Sequence, residues 1–439
     1  MFELSIQISG IKRYYLCYVC IEKLSRELSI MYPINEEAKK ESLLIDLDEL
    51  DVSKRSRFRN NTVQYYFDRL RKEEPVHFCK NSDYGQFWSI TKFKDIQEIE
   101  ANHELFSSAQ GYSIYDLPEL NKSFVAMDPP EHKSQRSPIL PLFSSGGLQN
   151  LEPTIRAIIS NVCDGIPLNK PFDWVEKVSA QITNQILAII IDVPNQDLGR
   201  LLKWSEVLTT FPEKESKLDL NNLQLMADFS EYFSVLWHRK CNSEPAHDLI
   251  SMYAHSPLAK KMWQENFLQT LSLLIAATTD TTKNSMTGGV IFLFRSPKER
   301  DILYGNREFI KSAVSEIIRY QTPIAHMRRT ATADTCFKGK NIRMGDKIIL
   351  WYASANRDDE EIENPYDFCI SRKLHSHHLS FGFGIHRCIG KNLAELELKI
   401  LLEEIISRGW LVEPVGDPVR KDSCFINGIN SLPVLVNKL

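Results

Sequence analysis

The segment Leu379-Ser-Phe381-Gly382-Phe-Gly384-Ile-His386-Arg387-Cys388-Ile-Gly390 holds a cysteine in a setting built for chemistry. Two glycines before Cys388 let the backbone turn back on itself. Gly390 leaves no side chain, so a flat group can lie close to the chain. Lys391 to Ile406 then reads as a helix, with Ala394 to Arg408 strongly amphipathic, which sets Cys388 at a helix N-terminus. Free N–H groups and the positive dipole end there favour thiolate over thiol. A thiolate so placed is a soft, electron-rich ligand for a transition metal. A buried cysteine in a glycine-rich turn is the plainer alternative for any one such residue.

Three further segments carry spacing of interest. Glu316-Ile-Ile-Arg319 sets a carboxylate and a guanidinium at i and i+3 on one helical face, and Pro323 ends that helix. A surface ion pair would explain this motif equally well. Leu273-Leu-Ile-Ala-Ala-Thr-Thr-Asp280-Thr281-Thr282 lies in a helical stretch from Glu265 to Phe294, about 45 Å long at the usual rise. Its threonines and aspartate are poor helix formers, and threonine hydroxyls bond the carbonyl one turn back and bend or open a helix. Apolar runs on both sides exclude an exposed polar face. Asp128-Pro-Pro-Glu-His132-Lys-Ser-Gln-Arg136 opens a helix with prolines at its start and places His132 and Arg136 one turn apart; a surface helix is the alternative.

Taken together, Phe381, Gly384, His386, Cys388 and Gly390 resemble the haem-binding signature of the cytochromes P-450, Phe-x-x-Gly-x-[His/Arg]-x-Cys-x-Gly. The resemblance runs from about residue 46 to the end. It implies haem b, held by Cys388 as axial iron ligand, with Phe381, Gly382 and Gly390 around it. It implies that Glu316 and Arg319 form a buried network completed by Arg372, that His132, Arg136, Arg329 and His386 meet the haem propionates, and that Asp280 and Thr281 relay protons to bound oxygen. The family's usual glycine before the acidic residue is replaced here by Ala277 and Thr278, so geometry at the oxygen groove is expected to differ.

Longer stretches narrow the resemblance: Phe124-Val-Ala-Met-Asp-Pro-Pro130, Asn284-Ser-Met-Thr-Gly-Gly289, Tyr320-Gln-Thr-Pro-Ile-Ala-His-Met-Arg-Arg329 and Trp351-Tyr-Ala-Ser-Ala-Asn-Arg-Asp358. They look like the bacterial subfamily that hydroxylates terminal carbons of medium-chain alkanes and fatty acids, and steroid or terpenoid hydroxylases share part of the pattern. The implied substrate contacts are Leu274, Ala277, Ile324, Ala325, Met327, the loop Tyr112 to Leu117, Phe425 and Ile426. The implied reaction inserts one atom of O2 into a C–H bond. A thiolate ligand pushes electron density that favours O–O cleavage. The chain has no flavin or nicotinamide fingerprint and no iron–sulfur cysteine run, so electrons are expected from a ferredoxin and its reductase, docking near Arg387, Lys391 and Lys133. A peroxide-driven enzyme and a non-enzymatic haem sensor are the rivals; the Asp280–Thr281 pair argues against both.

The elements that must position these residues read as mostly α, with small uneven sheets, hence α+β and a cytochrome P-450 fold. Asn60 to Glu74 and Lys94 to Asn102 read as helices, Phe87 to Thr91 as a strand, Ser107 to Leu120 as a loop, and 150 to 310 as mostly helical. Ile342 to Tyr352 reads as a hairpin turning at Met344-Gly345-Asp346-Lys347, and the last thirty residues as short strands. No linker divides residues 46–439; residues 1–45 read as an extension, loosely attached or lying on a membrane surface.

With 439 residues and 43% apolar content, the chain has enough to bury a large core. Its 53 basic and 57 acidic residues give a formal charge of −4, which does not suit nucleic acid. Nine irregularly spaced cysteines fit a reducing cytoplasm, and Cys17-Tyr-Val-Cys20 has no second pair to make a zinc site. The apolar run Tyr14 to Ile21 is too short to span a bilayer and no signal core follows, so a soluble cytoplasmic protein is expected. His375, His377 and His378 read as a solvated loop rather than a second metal site. Lys54, Arg55, Arg57, Arg59, Arg69, Arg71 and Lys72 read as a solvated face.

Overall fold

The structure is a computed structural model that describes residues 35–116, 123–209, 220–373 and 375–439. Cys17, Cys20 and Leu117 lie outside the described residues, as does most of the expected extension. The helices that frame the site are, in chain order, α1 (Glu36–Leu44), α2 (Val63–Glu73), α3 (Phe93–Ala101), α4 (Glu131–Arg136), α5 (Ser145–Asp164), α6 (Ala180–Ile191), α7 (Leu198–Thr209), α8 (Phe267–Arg295), α9 (Ile310–Gln321) and α10 (Lys391–Ser407). Among the described residues no helix is long and apolar enough to cross a membrane.

Helix α8 is the axle. It runs 29 residues from a π-helical turn at Met262–Asn266 and packs against α6, α7, α9 and α10. Those partners present aliphatic faces to it: Ile182, Ile186 and Ile190 on α6, Ile317 and Ile318 on α9, Leu393, Ile400 and Leu401 on α10, all in one buried cluster. At roughly 1.5–3 kcal/mol per buried aliphatic side chain, this cluster dominates the favourable side of folding. Gly288 and Gly289 let α9 approach closely, since a Cβ on Gly288 would lie 2.2 Å from the Gln321 side chain.

Among the described residues twelve strands complete the fold: β1 (Val76–Cys79), β2 (Phe87–Ile90), β3 (Phe106–Ser107), β4 (Phe172–Asp173), β5 (Met327–Ala331), β6 (Thr335–Phe337), β7 (Lys340–Ile342), β8 (Lys347–Leu350), β9 (Trp410–Pro414), β10 (Val419–Arg420), β11 (Ile429–Ser431) and β12 (Pro433–Lys438). The largest sheet has the order β1-β2-β8-β5-β3. Strand β5 lies inside it, with Arg329 opposite Ile348, and so carries Arg329 toward the site.

Two expectations are corrected. The strands around the Met344–Lys347 turn do not form a hairpin: β7 pairs with β6, while β8 joins β2 and β5 in the large sheet. Alternation marks strands but does not name their partners. The basic run from Lys54 to Lys72 is not all a solvated face either. Arg57 is buried, lies 3.6 Å from the centre of the Tyr66 ring and donates to the Asp51 carbonyl. Arg71 is buried and donates to Ser354 and Tyr366. Arg69 donates to the carbonyls of Ser42 and Ile45, fixing the C-terminal end of α1 against α2.

Candidate active site

The cysteine loop folds as its glycines require. Gly382 and Gly384 stand at φ +67° and +64°, where a Cβ is strained. A Cβ on Gly384 would also lie 2.5 Å from the Glu100 carbonyl oxygen. The turn closes with the Cys388 N–H donating to the Phe381 carbonyl at 2.8 Å. Gly390 caps α10, and a Cβ there would have only Cys388 Sγ, 3.9 Å away, as a neighbour. Burial pushes the Cys388 thiol up, while the N–H groups of Gly390 and Lys391 and the charges of Arg136 and Arg387 pull it back. The open surface of Cys388 faces an internal cavity, not bulk water.

That cavity holds about 1960 Å³ of empty space, the open solvent at its mouth included. The residues named from sequence converge on it. Arg136, Arg329, Phe381, Gly382, His386, Cys388 and Gly390 line it. Leu274, Ala277, Asp280, Thr281, Ile324, Met327, Phe425 and Ile426 line it too, with Tyr112.

Ala325 does not line the cavity. It is fully buried with Phe58, Phe67 and Trp351, and its N–H donates to the Phe425 carbonyl at 2.8 Å. Ile324 and Met327 line the cavity, while Ala325 and His326 between them turn away from it. Of the loop beginning at Tyr112, only Tyr112 lines the cavity among the described residues.

The cysteine side has a polar edge. His132 is buried behind His386, ring centres 4.4 Å apart, and the Nε2 atom of each ring is buried without a partner. Burial, reinforced by Arg136, pushes His132 down to about 4; burial, reinforced by Arg329, pushes His386 down to about 2. Both rings are therefore neutral at pH 7 and hold donor or acceptor capacity in reserve. Arg136 donates to the Arg387 carbonyl. Arg329 donates to the Arg328 carbonyl at 2.8 Å and to Glu100 Oε1 at 3.0 Å, and Tyr352 donates to the same oxygen at 2.6 Å. Two cations and two unpartnered imidazoles beside a largely apolar cavity that Cys388 also lines fit an iron porphyrin with two carboxylates.

Across the cavity, Asp280 is buried between two ammonium groups, Lys283 at 2.6 Å and Lys421 at 2.9 Å. Burial alone would raise its pKa, but the two lysines overrule that and hold it below the ordinary carboxylate value. Thr281 Oγ1 donates to the Ala277 carbonyl at 2.7 Å, and Thr279 Oγ1 to Ile275 at 2.9 Å. These are the one-turn-back bonds expected of threonine, yet α8 stays α-helical throughout. With alanine and threonine at 277 and 278, the backbone keeps its helical path here.

Beneath the cysteine loop, Glu316 and Arg319 are fully buried. Arg319 meets both Glu316 oxygens, at 2.7 and 2.8 Å, and its Nη1 donates to the carbonyls of Asn356 and Pro365. Arg372 reaches the same carboxylate at 3.4 Å, and the Cys369 N–H adds a bond of 2.9 Å. This pair is a buried network and not a surface bridge.

Sequence reasoning missed Glu100, Tyr352, Lys283 and Lys421. Only Lys283, at i+3 from Asp280, had a local signal. His377 stacks on Phe93 and faces Glu361 at 3.4 Å, and no group of three metal-ligating side chains occurs among the described residues.

Comparison with known proteins agrees with this geometry. The sequence is 30% identical over 385 residues to linalool 8-monooxygenase of Pseudomonas putida, covering 84% of this chain and 94% of that protein. It is equally similar, 30% over 385 residues, to methyl-branched lipid omega-hydroxylase of Mycobacterium tuberculosis, covering 84% and 90%. The solved structure of CYP153D17 from Sphingomonas sp. PAMC 26605 matches with a TM-score of 0.84 at 39% identity, covering 90% of this chain and 100% of that one. The family profile described as Cytochrome P450 matches residues 57–425. The chain therefore belongs to the cytochrome P450 family, as a monooxygenase whose cofactor is haem b.

Proposed function

We propose that this enzyme hydroxylates the terminal carbon of medium-chain alkanes or fatty acids, in the cytoplasm, with electrons from a ferredoxin and its reductase. The observation that carries the reading is the apolar part of the cavity that Cys388 also lines. Leu274, Ala277, Ile324, Met327, Phe425 and Ile426 offer an extended chain contact area without polar anchors. Residues 46–439 form the working domain in this proposal.

Haem b supplies the oxygen chemistry, by which one atom of O2 enters a C–H bond and the other leaves as water. The chain's own residues hold and tune it. Cys388 would hold the iron through its sulfur, and the N–H groups of Gly390 and Lys391 favour its negative charge. His132, Arg136, Arg329 and His386 would meet the two propionates, and Phe381, Gly382 and Gly390 would border the porphyrin. A carboxylate beside the two imidazoles would raise their proton affinity and strengthen the bond. Thr281 turns its hydroxyl from the Ala277 carbonyl to the cavity and hands on a proton. Asp280 resupplies that proton from the side bearing Lys283 and Lys421. The apolar wall keeps other water out.

Exposed Arg387 and Lys133, with half-buried Lys391, mark the cysteine side as the face for an acidic ferredoxin. A terpenoid or steroid substrate is the second reading, and the likeness to linalool 8-monooxygenase supports it. The test is a titration followed through the haem spin state with n-octane, dodecanoic acid, linalool and a sterol, then product analysis with NADH, ferredoxin and reductase against peroxide alone. Terminal alcohols from octane or dodecanoic acid are expected. A spin-state change and product with linalool or sterol only would overturn the alkane reading, and turnover with peroxide alone would remove the ferredoxin.

A further inference from the structure

We infer that His326 is a positioning residue that sets the shape of the substrate cavity by tying two of its walls together. It lies between Ile324 and Met327, which line the cavity, but its own side chain turns away and is fully buried. Its Nε2 is 3.1 Å from the Ile114 nitrogen, and its Nδ1 is 3.0 Å from the Cys424 carbonyl. The amide only donates and the carbonyl only accepts. The ring must therefore carry its proton on Nδ1 and keep a lone pair on Nε2, so both contacts are satisfied by one neutral tautomer. Burial, which pushes this imidazole down to about 3, is consistent with that state.

What the two bonds join gives the residue its role. Ile114 follows Tyr112 by two positions, and Cys424 precedes Phe425; Tyr112 and Phe425 both line the cavity. Their rings face each other with centres 6.1 Å apart, where the two walls meet. The His326 ring is itself wedged between Trp351, at 4.8 Å, and Phe425, at 5.1 Å. One side chain thus bonds a loop 212 residues earlier and a turn 98 residues later. Backbone bonds from the Arg328 N–H to the Tyr112 carbonyl and from the Ala325 N–H to the Phe425 carbonyl hold the same segments, and the imidazole reaches both with a single group.

The test needs no knowledge of the natural substrate. Haem-loaded protein is titrated with imidazole, which reaches the iron and touches little else, and with 1-dodecylimidazole, whose tail must fill the cavity. Both are followed by the absorption change of nitrogen ligation. His326→Phe keeps an aromatic ring but loses both bonds, whereas His326→Gln retains one donor and one acceptor about 2.2 Å apart, as in imidazole. His326→Phe is expected to bind imidazole within threefold of the parent and 1-dodecylimidazole at least tenfold more weakly, and His326→Gln to bind both within threefold. Equal changes for the two ligands in His326→Phe overturn the proposal. If His326→Phe does not retain haem, His326→Gln decides alone: a tenfold loss for 1-dodecylimidazole with imidazole unchanged removes the role of the two bonds. If neither variant retains haem, His326 is a folding residue and the proposal fails. Because these ligands report cavity shape and not turnover, a failure here is separable from a failure of the alkane reading.

Discussion

Lys421 Nζ stands 2.9 Å from Asp280 Oδ2, so a residue near the chain's end holds the acid on the central helix. Together with Lys283 it keeps that carboxylate ionised in a buried place. Removing Lys421 leaves one cation where there were two. Lys421→Met is expected to cost about 2 kcal/mol in urea unfolding, the scale of a charged hydrogen bond. It also raises the Asp280 pKa, so the acid limb of product formed per NADH moves to higher pH. An unshifted pH profile would separate Asp280 from the relay.

The Thr281 hydroxyl lines the same cavity and donates to the Ala277 carbonyl; the proposed function makes it the group to which Asp280 resupplies a proton. Thr281→Ala keeps every bond that holds haem and should leave the spectrum of the bound cofactor unchanged. Reducing equivalents then go to peroxide. Peroxide released per NADH is expected to rise severalfold while product falls; full coupling would show that another group delivers the proton.

Cys388→Ala removes the sulfur while leaving the glycine turn in place. The reduced carbon monoxide complex is expected to lose its thiolate-type absorption band altogether. An unchanged band would mean that a different side chain holds the iron.

For Glu316, burial pushes the carboxyl up, and the Arg319 guanidinium, the Cys369 N–H and Arg372 more than reverse it, leaving it below its ordinary value. A carboxyl with a depressed folded pKa stabilises the protein fully above its unfolded pKa, about 4.3. That contribution is lost as pH falls through the lower folded value. Glu316→Gln leaves a buried guanidinium unbalanced and is expected to cost about 3–5 kcal/mol at pH 7. Its unfolding free energy should also vary less with pH below 4.5 than the parent's, and a parallel dependence would count against the network.

What could be read from sequence was what the chain writes locally. The cysteine turn, the Glu316–Arg319 pair and the threonine patch each lie within ten residues or so, where spacing alone says which side chains share a face. Arg372 was legible only through family resemblance. Contacts made across the fold left no such trace: Lys421 is 141 residues from Asp280, and Arg329 is 229 from Glu100. Arg57 and Arg71 were misread for a related reason. A run of basic residues looks solvated until the carbonyls and aromatic ring that receive two of them are in place. Ala325 was assigned to the cavity with its neighbours because the sequence does not say which residues of an irregular extended segment turn inward.

The close fit of Gly384 against the Glu100 carbonyl has a consequence for how this enzyme can drift in evolution. The tip of the ligand loop takes its position from the C-terminal end of α3, where Glu100 sets its carbonyl against Gly384 and its carboxylate against the Phe383 N–H. The backbone path of α3 is thereby constrained as well as its buried side chains. An insertion or a proline near its C-terminal turn would shift the sulfur as surely as a change in the loop itself, though it would look harmless in a sequence comparison.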